Sequence, residues 1–363
     1  MNRKLFFGLL VSACMLFATS CKKDELDESL YGGEAKVTFS LGLEGENVAT
    51  KAISDGKKAD KLIYAVFNEN GTRISSIAVV QKTDVTFPDT VTLTLAKGQT
   101  YKVAFWAQDN DCQAYTVDTT MNVTVSYDNA PNNDETRDAF FKTVEFTVTG
   151  STSIDVEMKR PFAQINVGVT KEDWEAAVAS GIEIENSSVV IKNAATSLNL
   201  IDGTVDTATV DVSYALATIP NEPLYVDTDD DGIKEEYNWL SMSYILVADE
   251  SDGASMATLQ SLQYTFTPVN GNPIEFEEGL NTVPVQRNWR TNILGKILTG
   301  DIQFNITIDP TYDGDYIIPN GLGPIQDLKY AASFGGTFTL FEDVTMPEDR
   351  PSLEVAAAFT LNL

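Results

Sequence analysis

The sequence has no histidine among its 363 residues. This absence excludes Ser-His-Asp and Cys-His catalysis and His-ligated zinc, and it removes the commonest general base near neutral pH. Paired carboxylates could still act as the acid and base of a glycoside hydrolase, but none of the 53 Asp and Glu residues forms a recognisable pair. We therefore expect a protein that is not an enzyme.

Basic residues are also scarce. The chain has 25 Lys and Arg residues against 53 acids, a formal net charge of -28. The electrostatic field of a negatively charged protein repels phosphate backbones, so we expect no nucleic-acid partner. Hydrophobic residues make up 43% of the chain, which is enough for globular domains with buried cores.

The N-terminus carries a basic start, Asn2-Arg3-Lys4, an apolar run over residues 5–17 and the small residues Ala18-Thr19-Ser20. This order is typical of a secretory signal peptide, and the run is shorter than the roughly 20 residues of a membrane span. Cys21 then resembles a lipobox cysteine, which implies cleavage before it and acylation of its thiol. Lys22-Lys23-Asp24-Glu25 is similar to the tag of surface-exported Bacteroidetes lipoproteins. We expect an outer membrane lipoprotein facing the cell exterior; the alternative is an ordinary signal peptide with an incidental cysteine.

Cysteines are few, with three in the chain. Cys14 lies in the leader and Cys21 is the predicted lipid site, so Cys112 alone remains and no disulfide can form within the processed chain. We expect Cys112 to be a small apolar core residue.

Short alternating strands separated by turns predict an all-β fold. We divide the chain into a signal peptide (1–20), a spacer (21–34), two transthyretin-like, Greek-key β-sandwich domains (35–160 and 161–312) and a β-rich tail (313–363). The first sandwich includes strands over residues 36–41 and 62–67, an Asn70-Gly71 type I′ hairpin turn and a return strand over residues 73–80. The tail is either a pair of donor strands or the first turn of a parallel β-helix.

One short helix is predicted in the second sandwich. Thr170 is placed to cap it with Asp173 three residues later, and Gly181 ends it. Trp174, Ala177 and Val178 are predicted to form its apolar face, and its carboxylates serve capping rather than chemistry.

An acidic segment suggests the only cofactor, Ca²⁺. Asp227, Asp229, Asp231 and Glu235 occupy positions one, three, five and nine of a calcium-loop pattern, with glycine at position six. Position twelve is Asn238 instead of a bidentate Glu, so the alternative is a solvated acidic hairpin without metal. The four tryptophans could form an exposed platform that stacks on sugar rings, or they could pack in the cores. We favour core packing.

Several segments resemble the fimbrillin (Mfa-like and FimA-like) lipoproteins of Bacteroidetes, the subunits of type V pili. They are residues 50–56 with 61–68, the junction 158–167 that contains Arg160-Pro161, and residues 283–295, which contain Asn288-Trp289-Arg290-Thr291 and end at Gly295. The resemblance implies assembly by strand donation. A protease cuts after a basic residue that follows the first strand, and a strand from the next subunit fills the groove that the lost strand leaves.

In this chain Lys51 matches the cut position, although the family usually has Arg there. A tip or minor subunit, or a monomeric relative, would skip the cut. The resemblance implies a fimbrial subunit or fimbrillin-like adhesin at the cell surface. Its partners would be other fimbrial subunits, the outer membrane through its lipid anchor, and host or bacterial surface ligands. The alternative is a glycan-binding lipoprotein of a polysaccharide-uptake system.

Overall fold

The computed structural model describes residues 32–44, 58–228, 234–248, 258–300, 302–309, 336–339 and 359–362. Among these residues, no helix is both long and apolar enough to cross a membrane.

The described chain is built almost entirely of strands. The first nine strands are β1 (Glu34–Leu43), β2 (Lys61–Asn68), β3 (Val80–Lys82), β4 (Asp89–Ala96), β5 (Thr100–Gln108), β6 (Tyr115–Val117), β7 (Asn122–Val125), β8 (Ala139–Thr147) and β9 (Thr152–Met158). A three-residue 3₁₀ helix, Glu135–Arg137, precedes β8. The remaining elements are β10 (Phe162–Val169), α1 (Lys171–Ala179), β11 (Ile184–Ala195), β12 (Ser197–Asn199), β13 (Thr209–Thr218), β14 (Leu224–Val226), β15 (Glu235–Leu246), β16 (Thr258–Gln260), β17 (Leu262–Pro268), β18 (Ile274–Phe276), β19 (Val283–Val285), β20 (Arg290–Lys296), β21 (Gln303–Asp309), β22 (Gly336–Thr339) and β23 (Phe359–Asn362). The prediction of an all-β fold with one short helix is confirmed.

Two sheets form a sandwich in the first half of the chain. The outer sheet has the strand order β4-β1-β9, and the middle sheet has the order β3-β2-β5-β8. Alternate side chains of both sheets meet in one hydrophobic cluster, which we call the first core; Phe39 of β1 and Phe105 of β5 pack there with ring centroids 5.3 Å apart. The period-two pattern of β1 in the sequence arises because one face of the strand packs on this core.

The middle sheet is covered on both faces. Leu62, Tyr64 and Val66 of β2 belong to the first core, whereas Ile63 and Ala65 point the other way into a second, larger cluster, the second core. A strand that is buried on both faces needs apolar residues at successive positions, which explains the continuous apolar run of β2. The two cores therefore share the middle sheet, and the division into domains at residue 160 stays a prediction.

The second half of the chain forms the large sheet, nine-stranded with the main order β18-β17-β11-β15-β10-β20-β21. Helix α1 begins as expected, since the Thr170 side chain accepts a hydrogen bond from the Asp173 backbone N–H, 3.2 Å away. Gly181 follows the helix with φ +81°, in the left-handed region. The predicted apolar face is only partly right, because Ala177 is buried but Val178 is 46% exposed.

The predicted hairpin after β2 is wrong in detail. Residue 73 makes a single bridge to Phe67, and a regular strand is present only at Val80–Lys82. Ile74 and Ile77 instead pack against the first core from an irregular segment, since two adjacent serines between them break the alternation. Gly71 has φ +76° but Asn70 has no positive φ, so the turn is not type I′.

The tail contributes one described pair of strands. β22 and β23 lie parallel, with Gly336 opposite Phe359 and Thr339 opposite Asn362. The rest of the tail lies outside the described residues, so the choice between donor strands and a β-helix turn stays open.

Candidate functional site

Strand β1 is the central strand of the outer sheet. It pairs antiparallel with β4 from Glu34 to Leu41, and parallel with β9 from Val37 to Leu43. Its backbone N–H and C=O groups are therefore used on both edges. Without β1, the facing edges of β4 and β9 would both lose their hydrogen-bond partners.

The same strand fills the first core. Val37, Phe39 and Leu41 are fully buried, and Leu43 is 6% exposed. The Phe39 ring lies 5.3 Å from the ring of Phe105 and 5.4 Å from that of Phe146, centroid to centroid. Burial of each large apolar side chain stabilises the fold by about 1.5–3 kcal/mol. Removal of β1 would therefore expose an apolar groove, and a strand with a similar apolar pattern could restore the lost burial.

A polar cluster holds the end of β1. The Glu44 backbone N–H donates to the carbonyl of Met158 at 3.0 Å, continuing the ladder with β9. Its carboxylate lies 3.0 Å from Lys159 Nζ through Oε1 and accepts a hydrogen bond from Asn288 Nδ2 through Oε2. The Glu44 side chain is only 8% exposed. Buried charges are retained where they are paired and hydrogen-bonded, as this one is.

Arg160 stands behind this cluster, at the junction predicted from the sequence. Its guanidinium is fully buried and binds Asp138 through two hydrogen bonds, Nε to Oδ1 at 2.7 Å and Nη2 to Oδ2 at 2.9 Å. It also lies 4.4 Å from the centroid of the Phe140 ring. Such a forked pair is geometrically specific, so the junction between the two halves of the chain is held in one arrangement.

A cavity of about 780 Å³ opens beside this cluster. Its lining includes Lys142, Arg287 and the half-buried Trp289. Arg287 is itself mostly buried and donates to the carbonyl of Val247 at 3.1 Å through Nη2. Basic side chains are rare in this acidic chain, so their grouping at the junction is a local exception to the net charge.

The predicted lipid and processing sites, Cys21 and Lys51, lie outside the described residues. The structure does describe Glu44 and Lys58 on either side of the segment that contains Lys51. Cleavage after Lys51 stays a prediction, and so does lipidation of Cys21.

The predicted calcium site is described only in part. Asp227 directly follows β14 and Glu235 is the first residue of β15, whereas Asp229 and Asp231 lie outside the described residues. Glu235 Oε2 accepts hydrogen bonds from the Thr228 backbone N–H at 2.7 Å and from its hydroxyl at 2.6 Å. The described part of the chain contains no group of three or more acidic or cysteine side chains that could hold a metal. Calcium binding stays a prediction that calorimetric titration can test.

The tryptophans and Cys112 mostly pack in the interior. Trp106 and Trp239 are buried, and their indole N–H groups donate to Gln108 Oε1 and to the Ser241 carbonyl, each at 2.9 Å. Cys112 is 6% exposed in the second core, and burial raises the pKa of its thiol. It is the small core residue that the sequence predicts, and it is poorly suited to act as a nucleophile.

The contact between Glu44 and Asn288 could not be predicted from the sequence. These residues are 244 positions apart, and neither belongs to a local motif of paired charges. The resemblance of residues 283–295 to a family segment marked Asn288, but it did not reveal what the side chain contacts. A polar residue directly after an alternating strand was the one local feature that could have drawn attention to Glu44.

The chain is similar to one protein family and to several solved structures. A model described as "Family of unknown function (DUF6562)" matches residues 28–345, and no curated protein matches the chain. Among solved structures, the chain is similar to the tip fimbrial protein Mfa3 from Porphyromonas gingivalis, at 11% identity and a TM-score of 0.44, over 78% of this chain and 100% of that one. It is also similar to the fimbrial anchor protein Mfa2 from Porphyromonas gingivalis, at 13% identity and a TM-score of 0.39, over 79% of this chain and 100% of that one.

A fimbrial assembly protein from Parabacteroides distasonis shows 12% identity and a TM-score of 0.39, over 79% of this chain and 98% of that one. These neighbours are fimbrial proteins, the kind of protein that the sequence resemblance names.

Proposed function

The chain belongs to the family of unknown function DUF6562, and we propose that it is a non-enzymatic subunit or adhesin of a cell-surface fimbrium that joins its neighbours by β-strand donation. The observation that carries this function is the position of β1, an N-terminal strand at the centre of a sheet with four large side chains buried in the first core. A strand in this position can be replaced by a neighbour's extended segment, which restores both hydrogen-bonded edges and the apolar filling at once.

The order of segments along the chain supports this function. The predicted lipid site at Cys21 precedes β1, and the predicted cut at Lys51 follows it. An uncut chain stays attached to the outer membrane through its lipid with its groove filled by β1. A cut chain starts at Ala52, loses both the anchor and β1, and is ready for a strand from the next subunit.

Proteolysis of the full chain tests this function. We expect a lysine-specific protease to produce a new N-terminus at Ala52, and electrophoresis of unboiled samples to show a ladder of oligomers. The triple variant Lys51→Gln/Lys57→Gln/Lys58→Gln, which removes every lysine between Glu44 and Lys61, should stay monomeric under the same treatment. The matched control Lys57→Gln/Lys58→Gln, which keeps Lys51, should behave like the parent. A single monomer band in cut and uncut samples alike would sink the proposal.

A further inference from the structure

We propose that Asn288 and Lys159 form a carboxylate socket that selects the strand able to replace β1. The occupant is an extended segment of a neighbouring subunit that carries Glu or Asp directly after its last buried apolar residue. This inference rests on the proposed function, because it concerns the same replacement. In the intact chain the socket is filled by Glu44, whose two carboxylate oxygens contact Lys159 and Asn288.

The hydrogen-bonding direction of the socket is fixed by Asn288. Its side-chain oxygen accepts a hydrogen bond from the Arg160 backbone N–H at 3.0 Å. Its own backbone N–H donates to the Phe162 carbonyl at 2.8 Å, and its φ of +64° holds it in the left-handed region. The amide therefore cannot turn over without losing a buried hydrogen bond, and its NH₂ group must point at the Glu44 position. A donor in that place requires an acceptor from the incoming strand.

Two basic side chains contact Glu44. Lys159 Nζ lies 3.0 Å from Glu44 Oε1, and Arg160 Nη1 donates to the Glu44 backbone carbonyl at 3.4 Å. Asp138 is bound by both Nε and Nη2 of the Arg160 guanidinium. Loss of Glu44 would thus leave a buried amide donor beside a lysine, and an amide or an apolar side chain in its place would satisfy them less well than a carboxylate.

The socket also fixes the register of the replacing strand. Leu43 is opposite Met158 in the parallel ladder, and Glu44 comes one residue later. A shift by one residue would turn the apolar side chains out of the first core and also move the acid away from Asn288. Apolar alternation alone would accept shifts of two residues, so the single acid distinguishes among registers that the core cannot.

Peptide exchange into the full chain tests the socket. A site-specific protease sequence placed at residues 49–54 allows cleavage in the folded protein, after which β1 is held without a covalent link. The nicked protein is then incubated with fluorescent peptides that carry residues 32–45. One has the native sequence, one has Glu44→Gln, and a charge-matched control has Thr38→Glu with Glu44→Gln, because Thr38 lies opposite the uncharged Thr92 and Ser153.

We expect the native peptide to be taken up about tenfold or more in preference to both variants, which is the value of one charge-assisted hydrogen bond. The preference should shrink when the protein carries Lys159→Met, because this variant removes the positive charge that faces the Glu44 carboxylate. The Lys159 side chain is 50% exposed, so its replacement leaves the core intact. Equal uptake of all three peptides, or uptake of the charge-matched control at the native level, would overturn the socket while leaving strand replacement in place. Failure of every peptide to exchange would instead overturn the proposed function, and the socket with it.

Discussion

A single carboxylate, that of Asp173, ties helix α1 to the loop after β20. It is 2% exposed and accepts hydrogen bonds from the backbone N–H groups of Ile297, Leu298 and Thr299 at 2.7, 2.7 and 3.0 Å. The hydroxyl of Thr299 adds a fourth bond. The sequence identified Asp173 as part of a helix cap, but the loop that it holds is more than 120 residues further along the chain. A local pattern cannot reveal such a contact.

Replacing this carboxylate should therefore destabilise the protein. In Asp173→Asn the amide NH₂ would face backbone N–H donors, so at least one buried donor loses its acceptor. We expect the free energy of unfolding to fall by about 2–3 kcal/mol, measured by urea denaturation. Glu172→Gln, an exposed neighbour on the same helix, should change it by less than about 0.5 kcal/mol. Equal values for the two variants would show that the four bonds do not matter.

Elements differ in how far the sequence predicts them. Strand β1 and helix α1 have local patterns, period-two alternation and a capping residue with a terminal glycine, so both were predicted close to their observed bounds. The segment after β2 was not, because a turn residue pair and apolar side chains suggested a hairpin, whereas Ile74 and Ile77 are held by packing on the first core. The burial of β2 on both faces also depends on the second half of the chain. Strand β1, which fills the proposed groove, could be predicted from the sequence, but the contact of Asn288 with Glu44 at its end could not.

At the level of paired strands, Gly295 allows β20 and β21 to approach. A Cβ built at this position would lie 2.2 Å from the backbone oxygen of Gln303 and 2.5 Å from Cα of Phe304. These atoms belong to the partner strand and cannot rotate away as a side chain could. We expect Gly295→Ala to lower the free energy of unfolding by about 1–3 kcal/mol or more, measured by thermal or urea denaturation.

Gly150→Ala is the matched control for this change. No atom lies within 4 Å of a Cβ built there, so its stability should stay within about 0.5 kcal/mol of the parent. If Gly295→Ala were equally neutral, the close approach of β20 and β21 would not be needed for folding.

At the scale of the whole molecule, a buried arginine joins segments from both halves of the chain. The Arg137 guanidinium lies 5.9, 5.3 and 5.6 Å from the ring centroids of Tyr115, Tyr127 and Tyr214. Tyr115 and Tyr127 precede the junction at Arg160, whereas Tyr214 belongs to β13 of the large sheet. Cation–π contacts of this kind are strongest when they are desolvated, as here, so the cluster helps to hold the halves together.

The same tyrosines make stability depend on alkaline pH. Burial raises the pKa of Tyr214 to about 12, although the nearby positive charge of Arg137 lowers it, and burial also raises the pKa of Tyr115 and Tyr127. In the unfolded chain each phenol ionises near pH 10. Between these values the folded state keeps a proton that the unfolded state releases. The stabilisation that Tyr214 contributes is therefore complete below about pH 10 and is lost as the pH rises toward 12, by about 1.4 kcal/mol per pH unit.

Urea denaturation between pH 8.5 and 11.5, at constant ionic strength, measures this loss. We expect the free energy of unfolding of the parent to fall progressively above pH 10. For Tyr214→Phe this free energy should fall less steeply, because one proton fewer is released on unfolding. The comparison uses slopes, because Tyr214→Phe also removes the hydrogen bond from the hydroxyl to the Tyr244 carbonyl and starts from a lower stability. Tyr225→Phe, which changes a tyrosine that is 50% exposed, should keep the parent's slope. If Tyr214→Phe also kept that slope, the phenol of Tyr214 would ionise as readily in the folded chain as in the unfolded one, and its burial beside Arg137 would not govern the alkaline limit of the fold.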